Sequence, residues 1–596
     1  MPTYKAPLDD VRFVLTELFD LGELATLPGH EEHTPDLIEA VLAEGAKVCE
    51  NELFPLNRSG DEEGCRFENG VVYTPKGFKE AYRTYREGGW TGLSADPDYG
   101  GQGLPHTVQF VMEEFVCSAN LSFGMYPGLS HGAYNALHRW GTQELKDRYL
   151  PRLVDGTWSG TMCLTEPHCG TDLGLIRTRA VPAEDGTYRI TGTKIFISAG
   201  EHDLTENILH LVLAKLPDAP AGTRGISLFL VPKFLPKEDG TPGARNGAFC
   251  GAIEHKMGIK ASSTCVMNFE EATGWLIGEP HKGMRAMFTM MNAARLGVAI
   301  QGLGLGEVSY QNAVAYARDR LQGRSVSGTK APDRPADPII VHPDVRKNLL
   351  TMRAYNEGAR ALAAWIGLAI DRAERHPDPA ARQEADDLVA LMTPILKAFF
   401  TDYGFEATNL GVQVYGGHGY VREYGMEQFV RDARITQIYE GANGIQALDL
   451  VGRKLPQDMG RLLRRFFHPV AAYVEANMAE EAMAEFVLPL AKSFAKLQQA
   501  TALVAQRGMK DPDEAGAAST DYLRLFALVA LGYVWARMVE TSRRKLSEGT
   551  GDARFYETKI KTGRFFFAKL LPQTDALFKT ILSGAKPLMD VEADAF

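Results

Sequence analysis

The chain has 596 residues, 45% hydrophobic and 23% charged, a balance that excludes a disordered or fibrous protein and is ample for several cores. Its formal net charge of −11 argues against a broad nucleic-acid-binding face, though it leaves room for a local basic patch. The seven cysteines form no CxxC pair and none lies beyond Cys265, which reads as reduced thiols rather than a disulfide framework or a zinc site.

The start, Met1-Pro-Thr-Tyr-Lys-Ala-Pro-Leu-Asp-Asp10, has no basic-then-apolar pattern and is too acidic for a transit peptide. The last residues, Asp594-Ala-Phe596, match no peroxisomal address, so a cytoplasmic protein is expected. Residues 1–34 read as an N-terminal extension. From Pro35 to about Trp140 the spacing of Ile38, Val41, Leu42 and Val48, and later of Phe110, Val111, Phe115 and Val116, predicts helices. Gly88-Gly-Trp90 and Pro97-Asp-Tyr-Gly-Gly-Gln-Gly103 interrupt them as loops with unusual backbone demands.

Near Ser159 the character changes. Short β-rich runs follow at 188–191, 194–198, 208–213, 226–231, 252–254 and 265–269, separated by turn residues, and predict a compact β-domain. Helical spacing returns from about Gly283, over 284–320, 344–375 and 383–411, with a proline-rich surface connection from Ser325 to Pro343. After Pro456 come further amphipathic helices, including 521–545 and 553–571. The longest apolar helical run, Leu525 to Ala536, is too short to span a bilayer. The predicted fold is mainly α with a central β-domain, divided at 35–158, 159–282, 283–455 and 456–596.

Several motifs carry chemistry, each beside a plainer reading. Glu440, in Gln437-Ile-Tyr-Glu-Gly-Ala-Asn-Gly-Ile-Gln446, suits a base that is partly desolvated yet reachable, because desolvation strengthens a carboxylate as a base. On these ten residues alone the plainer reading, a surface acid ending a helix, is favoured. Cys163-Leu-Thr-Glu-Pro-His-Cys-Gly-Thr-Asp172 offers backbone N–H groups to a flat heterocycle or phosphate, or is an ordinary polar turn capped by Thr165 or Asp172. Phe196 and Ser198, two apart, share one face of an ideal strand, to pack on a ring and bond its edge, or as a core Phe with a solvated Ser. Arg295 and Arg320 bracket the first returning helix, where an arginine commonly satisfies terminal carbonyls. Gln413-Val-Tyr-Gly-Gly-His-Gly-Tyr420 allows close backbone approach to a phosphate, with His418 read as a loop histidine. No histidine or cysteine group has metal-ligand spacing, so no metal is expected.

Taken in order, these segments resemble the acyl-CoA dehydrogenase family over about residues 35–455. The matching stretches are Pro97-Asp-Tyr-Gly-Gly-Gln-Gly, Gly141-Thr-Gln-Glu-Leu-Lys-Asp-Arg-Tyr-Leu150, Leu164-Thr-Glu-Pro, Gly170-Thr-Asp, Gln413-Val-Tyr-Gly-Gly-His-Gly and Ile438-Tyr-Glu-Gly. The resemblance implies an N-terminal helical domain, a middle β-barrel and a C-terminal four-helix bundle. It implies FAD, an acyl-CoA substrate and electron-transfer flavoprotein as acceptor. Residue by residue, it makes Glu440 the base and Met162, Leu164, Thr165 and Thr171 the flavin-binding turn, with Phe196 and Ser198 beside it. Arg320, Gln413 and Gly417 match contacts to the FAD pyrophosphate and adenine that reach a neighbouring subunit, so a homodimer is expected. Arg295, Tyr439 and Gly441 fall on the substrate side.

Some positions depart from the family pattern. Phe196 stands for a common Trp, Arg320-Leu-Gln-Gly323 is one residue short, and Ala442 and Gly444 remove two side chains that usually contact FAD. Ala294 occupies the position where some members carry the base. The length, the start and the extension after Pro456 resemble the 3-methylmercaptopropionyl-CoA dehydrogenase group, which acts in dimethylsulfoniopropionate catabolism. A medium- or long-chain fatty acyl-CoA dehydrogenase is the alternative. An acyl-CoA oxidase and a dormant DNA-associated flavoprotein rank lower. Very-long-chain enzymes of the family use a similar C-terminal extension at a membrane, and Arg453-Lys454 and Arg461-Leu-Leu-Arg-Arg-Phe-Phe467 would suit that role, but such a turn is more often a solvated face or a dimer contact, and no stable membrane anchor is expected.

Overall fold

Where apolar residues recur every three to four positions the chain is helical, and where β-branched runs alternate it is extended. The computed structural model describes residues 2–596. Helices α1 (Leu8–Arg12), α2 (Pro35–Val48), α3 (Pro55–Glu63) and α4 (Phe78–Glu87) come first, with strands β1 (Arg66–Glu68) and β2 (Val71–Tyr73) before α4. Helices α5 (His106–Trp140) and α6 (Gln143–Val154) lead into β3 (Trp158–Cys163), β4 (Arg179–Pro182), β5 (Tyr188–Ser198) and β6 (Asn207–Lys215). Strands β7 (Ile226–Pro232), β8 (Phe234–Pro236), β9 (Pro242–Arg245), β10 (Ala248–Ile253) and β11 (Thr264–Ile277) complete the β region. Next come α7 (Gly283–Asp319), α8 (Pro343–Arg375), α9 (Pro379–Tyr415), α10 (Gly417–Tyr420), α11 (Met426–Arg434) and α12 (Asn443–Asp449). The last stretch holds α13 (Arg461–Asn477), α14 (Ala484–Gly508), α15 (Pro512–Glu548), α16 (Ala553–Phe565) and α17 (Gln573–Leu582).

The chain divides into two compact units. One holds residues 44–104 and 115–297. Its centre is a seven-stranded sheet in the order β10-β11-β5-β4-β6-β3, and β7 pairs with both β11 and β6. That double pairing closes β11, β5, β4, β6 and β7 into a barrel, so these five strands leave no open edge between them. Alternate residues of β6 serve two cores: Leu209, Leu211 and Leu213 pack with Tyr149, Trp158 and Met290, while Val212 and Ala214 pack with Phe229, Cys265 and Phe269. Burial on both faces explains why this strand reads as an apolar run interrupted only by His210. Gly192 looks like a break between two runs but lies inside β5, where a Cβ would come 2.4 Å from Thr178 Oγ1. The β1–β2 hairpin, two three-residue strands inside a region expected to be helical, is too short to show a period.

The other unit holds the residues up to Ala43, 105–114 and 298–596. Helices α7 and α9 cross at glycines: a Cβ on Gly302 would lie 2.3 Å from Phe400 O, and one on Gly404 2.3 Å from Gly302 O. α15 is seated on α8 through Trp535 Nε1, which donates to Ala354 O at 2.9 Å. It begins nine residues before the expected 521, because Asp511 caps Asp513 N–H and Pro512 fits the first helical position (521 − 512 = 9). The apolar run 525–536 therefore sits inside a 37-residue helix. The most apolar windows of α9 and α15 are long enough to cross a membrane, yet are 78% and 89% buried, so protein already covers them. Arg461 grips Asp387 at 2.9 and 3.1 Å, and Arg465 meets Glu384 at 2.8 Å, so two of the basic residues at 461–465 hold α13 to α9.

The N-terminal extension is structured: Val11, Phe13, Val14 and Leu15 are buried. Asp10 from α1, Glu114 from α5, Glu307 from α7, Glu357 and Arg360 from α8, and Lys559 from α16 form one buried ionic cluster. Burial raises the Asp10 carboxyl, but Lys559 and Arg360 outweigh it and hold it below the usual aspartate range. Glu114 moves the other way, since its burial outweighs Arg360. The cluster makes the first and last parts of the chain one folding unit with the bundle between them.

Candidate active site

Glu440 lies in the turn between α11 and α12 with φ +60°, and Gly441 follows at +90°. A non-glycine residue in that region costs about 1–3 kcal/mol and persists only where its surroundings hold it. Here two fully buried side chains do so. Lys397 Nζ, from α9, donates to Gly441 O at 2.8 Å and to Asn443 Oδ1 at 2.9 Å. Gln446 Nε2, from α12, donates to Glu440 O at 3.1 Å and Gly441 O at 3.2 Å. Asn443 Nδ2 reaches Thr401 Oγ1 at 2.9 Å and Asp402 Oδ1 at 2.6 Å. Glu440 itself is half-buried, and the neighbouring Tyr439 hydroxyl donates to Gln301.

In the same unit, Arg320 follows the end of α7, exposed and without an ion-pair partner among the described residues. Gln413 is exposed near the end of α9, and Gly416, at φ +59°, and Gly417 have open space where a Cβ would stand. Tyr316 and Tyr415 stack at 4.0 Å, and Tyr316 Oη shares a 2.8 Å hydrogen bond with His418 Nδ1. His418 also stacks on Tyr424 at 4.4 Å, so it is a partnered residue of the short α10 rather than a loop histidine.

In the other unit, β3 ends in the turn carrying Leu164 and Thr165. Lys194, fully buried on β5, donates to Leu164 O and to Glu166 Oε1, each at 2.9 Å, while Ile195 N–H donates to Thr165 O at 2.9 Å. These bonds hold Leu164 and Thr165 against β5 at Lys194 and Ile195, next in the chain to Phe196. Burial pushes Lys194 below the usual lysine range, against the pull of Glu166. Phe196 and Ser198 do not follow simple alternation. The pairing with β11 slips at this point, Phe196 has φ +58°, and Lys194 and Ile197, three apart, are both buried. The bulge leaves Phe196 59% exposed.

Met162 is half-buried, and the hydroxyls of Thr165, Thr171 and Ser198 have no hydrogen-bond partner among the described residues. Arg295 is buried on α7, donating to Asn292 Oδ1 at 3.4 Å with its guanidinium 5.8 Å from the Phe288 ring. The ligand atoms of Glu166, His168 and Cys169 lie within 4.8 Å of one another. The Glu166 carboxylate is already engaged by Lys194, Thr178 and the Arg177 N–H, so this group is a structural anchor.

Sequence reasoning missed Lys397, Asn443, Gln446 and Lys194. Lys397, Gln446 and Lys194 are buried and Asn443 is half-buried, in an apolar stretch or at a helix start, and only long-range pairing gives them meaning. A lysine among the apolar residues 395–400 was the one available signal.

Models of the acyl-CoA dehydrogenase N-terminal, middle and C-terminal domains match residues 36–157, 161–272 and 281–455. A fourth, described as acetyl-CoA dehydrogenase C-terminal like, matches 466–592. The chain belongs to the acyl-CoA dehydrogenase family, FAD-dependent oxidoreductases acting on CH–CH bonds of acyl-CoA thioesters. It is 44% identical to 3-methylmercaptopropionyl-CoA dehydrogenase of Ruegeria pomeroyi, over 98% of this chain and 99% of that protein. It is 32% identical to the broad-specificity linear acyl-CoA dehydrogenase FadE5 of Mycobacterium tuberculosis, over 100% of both. The FAD complex of an acyl-CoA dehydrogenase from Bacillus anthracis shares its fold, with TM-score 0.75 and 22% identity over 94% of this chain and 90% of that one.

The residues present fit FAD in each unit separately. Unpartnered hydroxyls beside an exposed aromatic suit the edge and face of a ring system. A guanidinium with no ion-pair partner among the described residues and an open Gly-Gly turn suit a pyrophosphate.

Proposed function

We propose that this enzyme dehydrogenates 3-(methylthio)propanoyl-CoA to its 2-enoyl-CoA product, with Glu440 as the base. The substrate rests on the full-length relationship to 3-methylmercaptopropionyl-CoA dehydrogenase. The base rests on the half-buried carboxylate in a left-handed turn that buried side chains fix. Bound FAD supplies the acceptor for the hydride that leaves the β-carbon. Glu440 removes the α-proton, and its backbone N–H polarises the thioester carbonyl as an oxyanion-hole donor. Substrate binding expels water from around Glu440 and strengthens it as a base. Arg320, Gln413 and the Gly416-Gly417 turn would hold an FAD pyrophosphate; the Leu164–Thr171 turn, with Phe196 and Ser198, would hold a flavin ring. Tyr439, Gly441 and Arg295 belong to the substrate side. Electron-transfer flavoprotein is the acceptor, and the enzyme works as a cytoplasmic homodimer.

The competing reading is a fatty acyl-CoA dehydrogenase, favoured by the likeness to a broad-specificity linear acyl-CoA enzyme. Flavin reduction with 3-(methylthio)propanoyl-, butanoyl-, octanoyl- and palmitoyl-CoA separates them. The methylthio substrate is expected to have the highest kcat/KM, and a clear preference for octanoyl- or palmitoyl-CoA overturns the assignment.

A further inference from the structure

A buried cation lies under the Glu440 turn, and the reaction as described above does not use it. Lys397 is wholly buried, yet carries an ammonium group that needs compensation. An apolar side chain of similar length would fill the same space but leave the Gly441 and Asn443 oxygens without this donor. The ammonium instead engages Gly441 O and Asn443 Oδ1, at 2.8 and 2.9 Å.

Two consequences follow from the bonding pattern. The Asn443 amide is polarised end to end: its oxygen faces Lys397, while its nitrogen donates to Asp402 at 2.6 Å. Asp402 is also reached by Gln437 Nε2 at 2.7 Å, and Gln437 Oε1 by Arg434 at 3.0 Å. Opposite charges at the two ends lock the amide orientation, and with it the start of α12. The second consequence concerns the backbone. Glu440 O and Gly441 O are both drawn towards the buried side chains. In a trans peptide the N–H points opposite to the C=O, so the N–H groups of Gly441 and Ala442 point away from Lys397 and Gln446. Neither has an acceptor among the described residues.

We propose that Lys397 is a positioning residue for the dehydrogenation, its ammonium holding the 440–443 backbone in the left-handed geometry that sets the aim of the Glu440 carboxylate. The proposal rests on Glu440 being the base. It makes the cation, and not merely the volume of its side chain, necessary for proton abstraction. Lys397 touches neither substrate nor reacting atoms in this role.

The test is rapid mixing of the FAD-loaded Lys397→Met variant with 3-(methylthio)propanoyl-CoA, or with butanoyl-CoA if that is the better substrate, in α-protonated and α-deuterated form. A misplacement of about 1 Å lowers a rate by about 100-fold, and a fall of that order in flavin bleaching at saturating substrate is expected. Full bleaching amplitude, little change in substrate affinity and a larger α-deuterium isotope effect are expected with it. A merely structural role gives a smaller amplitude at the native rate per bound flavin with an unchanged isotope effect, and that result overturns the proposal. Asn443→Ala, which keeps Lys397 but removes one of its acceptors, serves where Lys397→Met does not retain FAD. It should show a smaller fall of the same kind, and a native rate overturns the proposal. Glu440→Gln runs alongside. If Glu440→Gln bleaches normally, the base assignment fails and carries this proposal with it. If Glu440→Gln is inert while Lys397→Met is native, only the role of Lys397 fails.

Discussion

Lys559→Met measures how firmly the last helices belong to the same folding unit as the bundle. The ammonium is fully buried and bonds Asp10 and, at 2.8 Å, Glu357. Its charge also lies 5.1 Å from the rings of Phe13 and Phe555. Methionine keeps the stem against those rings and removes only the charge and its donors. Breaking a buried pair costs about 3–5 kcal/mol, because the partner stays behind uncompensated. Here each carboxylate keeps an arginine, Arg360 for Asp10 and Arg353 at 2.7 Å for Glu357, which sets the expectation near the lower end. About 3 kcal/mol is roughly a 150-fold larger opening constant at 1.36 kcal/mol per tenfold. Hydrogen exchange near pH 7 should therefore speed up about that much in peptides from 8–18 and 553–565 together, and hardly at all in β6. Exchange changing by less than about threefold in both segments would refute the cluster as their link.

Lys194→Met removes the anchor of the Leu164–Glu166 turn and leaves Glu166 buried beside Thr178, so a lower melting temperature and a lower flavin-to-protein ratio are expected together; full FAD content with an unchanged melting temperature contradicts this. The pH dependence has a readable sign at His106. Burial lowers its basicity, but Glu374, 3.0 Å away, outweighs burial and raises the imidazole to about 9. A group raised above its unfolded value near 6.5 contributes stability that is present below that pH and is lost as pH rises through about 9. Glu374→Gln should thus remove a stability difference between pH 6.5 and 9, read by urea midpoints at both values; an unchanged difference contradicts it. His30 has the opposite sign: burial holds it down at about 4, so its contribution is lost as pH falls from 6.5 towards 4.

How much of this was legible in the sequence depends on how local each signal is. The helix–sheet–helix order was readable because helical spacing and β-rich runs are properties of ten or so adjacent residues. The glycine turns at 416–417 and 440–441 were readable for the same reason, since unusual backbone angles leave a mark on composition. The bulge at Phe196 was not, because it is a misalignment between β5 and β11 and belongs to neither strand alone. Asp10 looked like part of an acidic extension, and its partners lie 350 and 549 positions away in the chain. Lys397 and Lys194 look like interruptions of apolar runs until the carbonyls they hold are seen. The basic run at 461–465 looked surface-directed, yet two of its arginines hold acidic residues of α9.

The central claim is that Glu440 removes a proton from the α-carbon of an acyl-CoA thioester. Stopped-flow mixing of FAD-loaded Glu440→Gln with saturating 3-(methylthio)propanoyl-CoA tests it most directly. The variant should retain FAD and bind substrate, with flavin bleaching slowed by at least about 100-fold, the lower range for loss of a general base. Bleaching at the native rate in the variant would contradict the account.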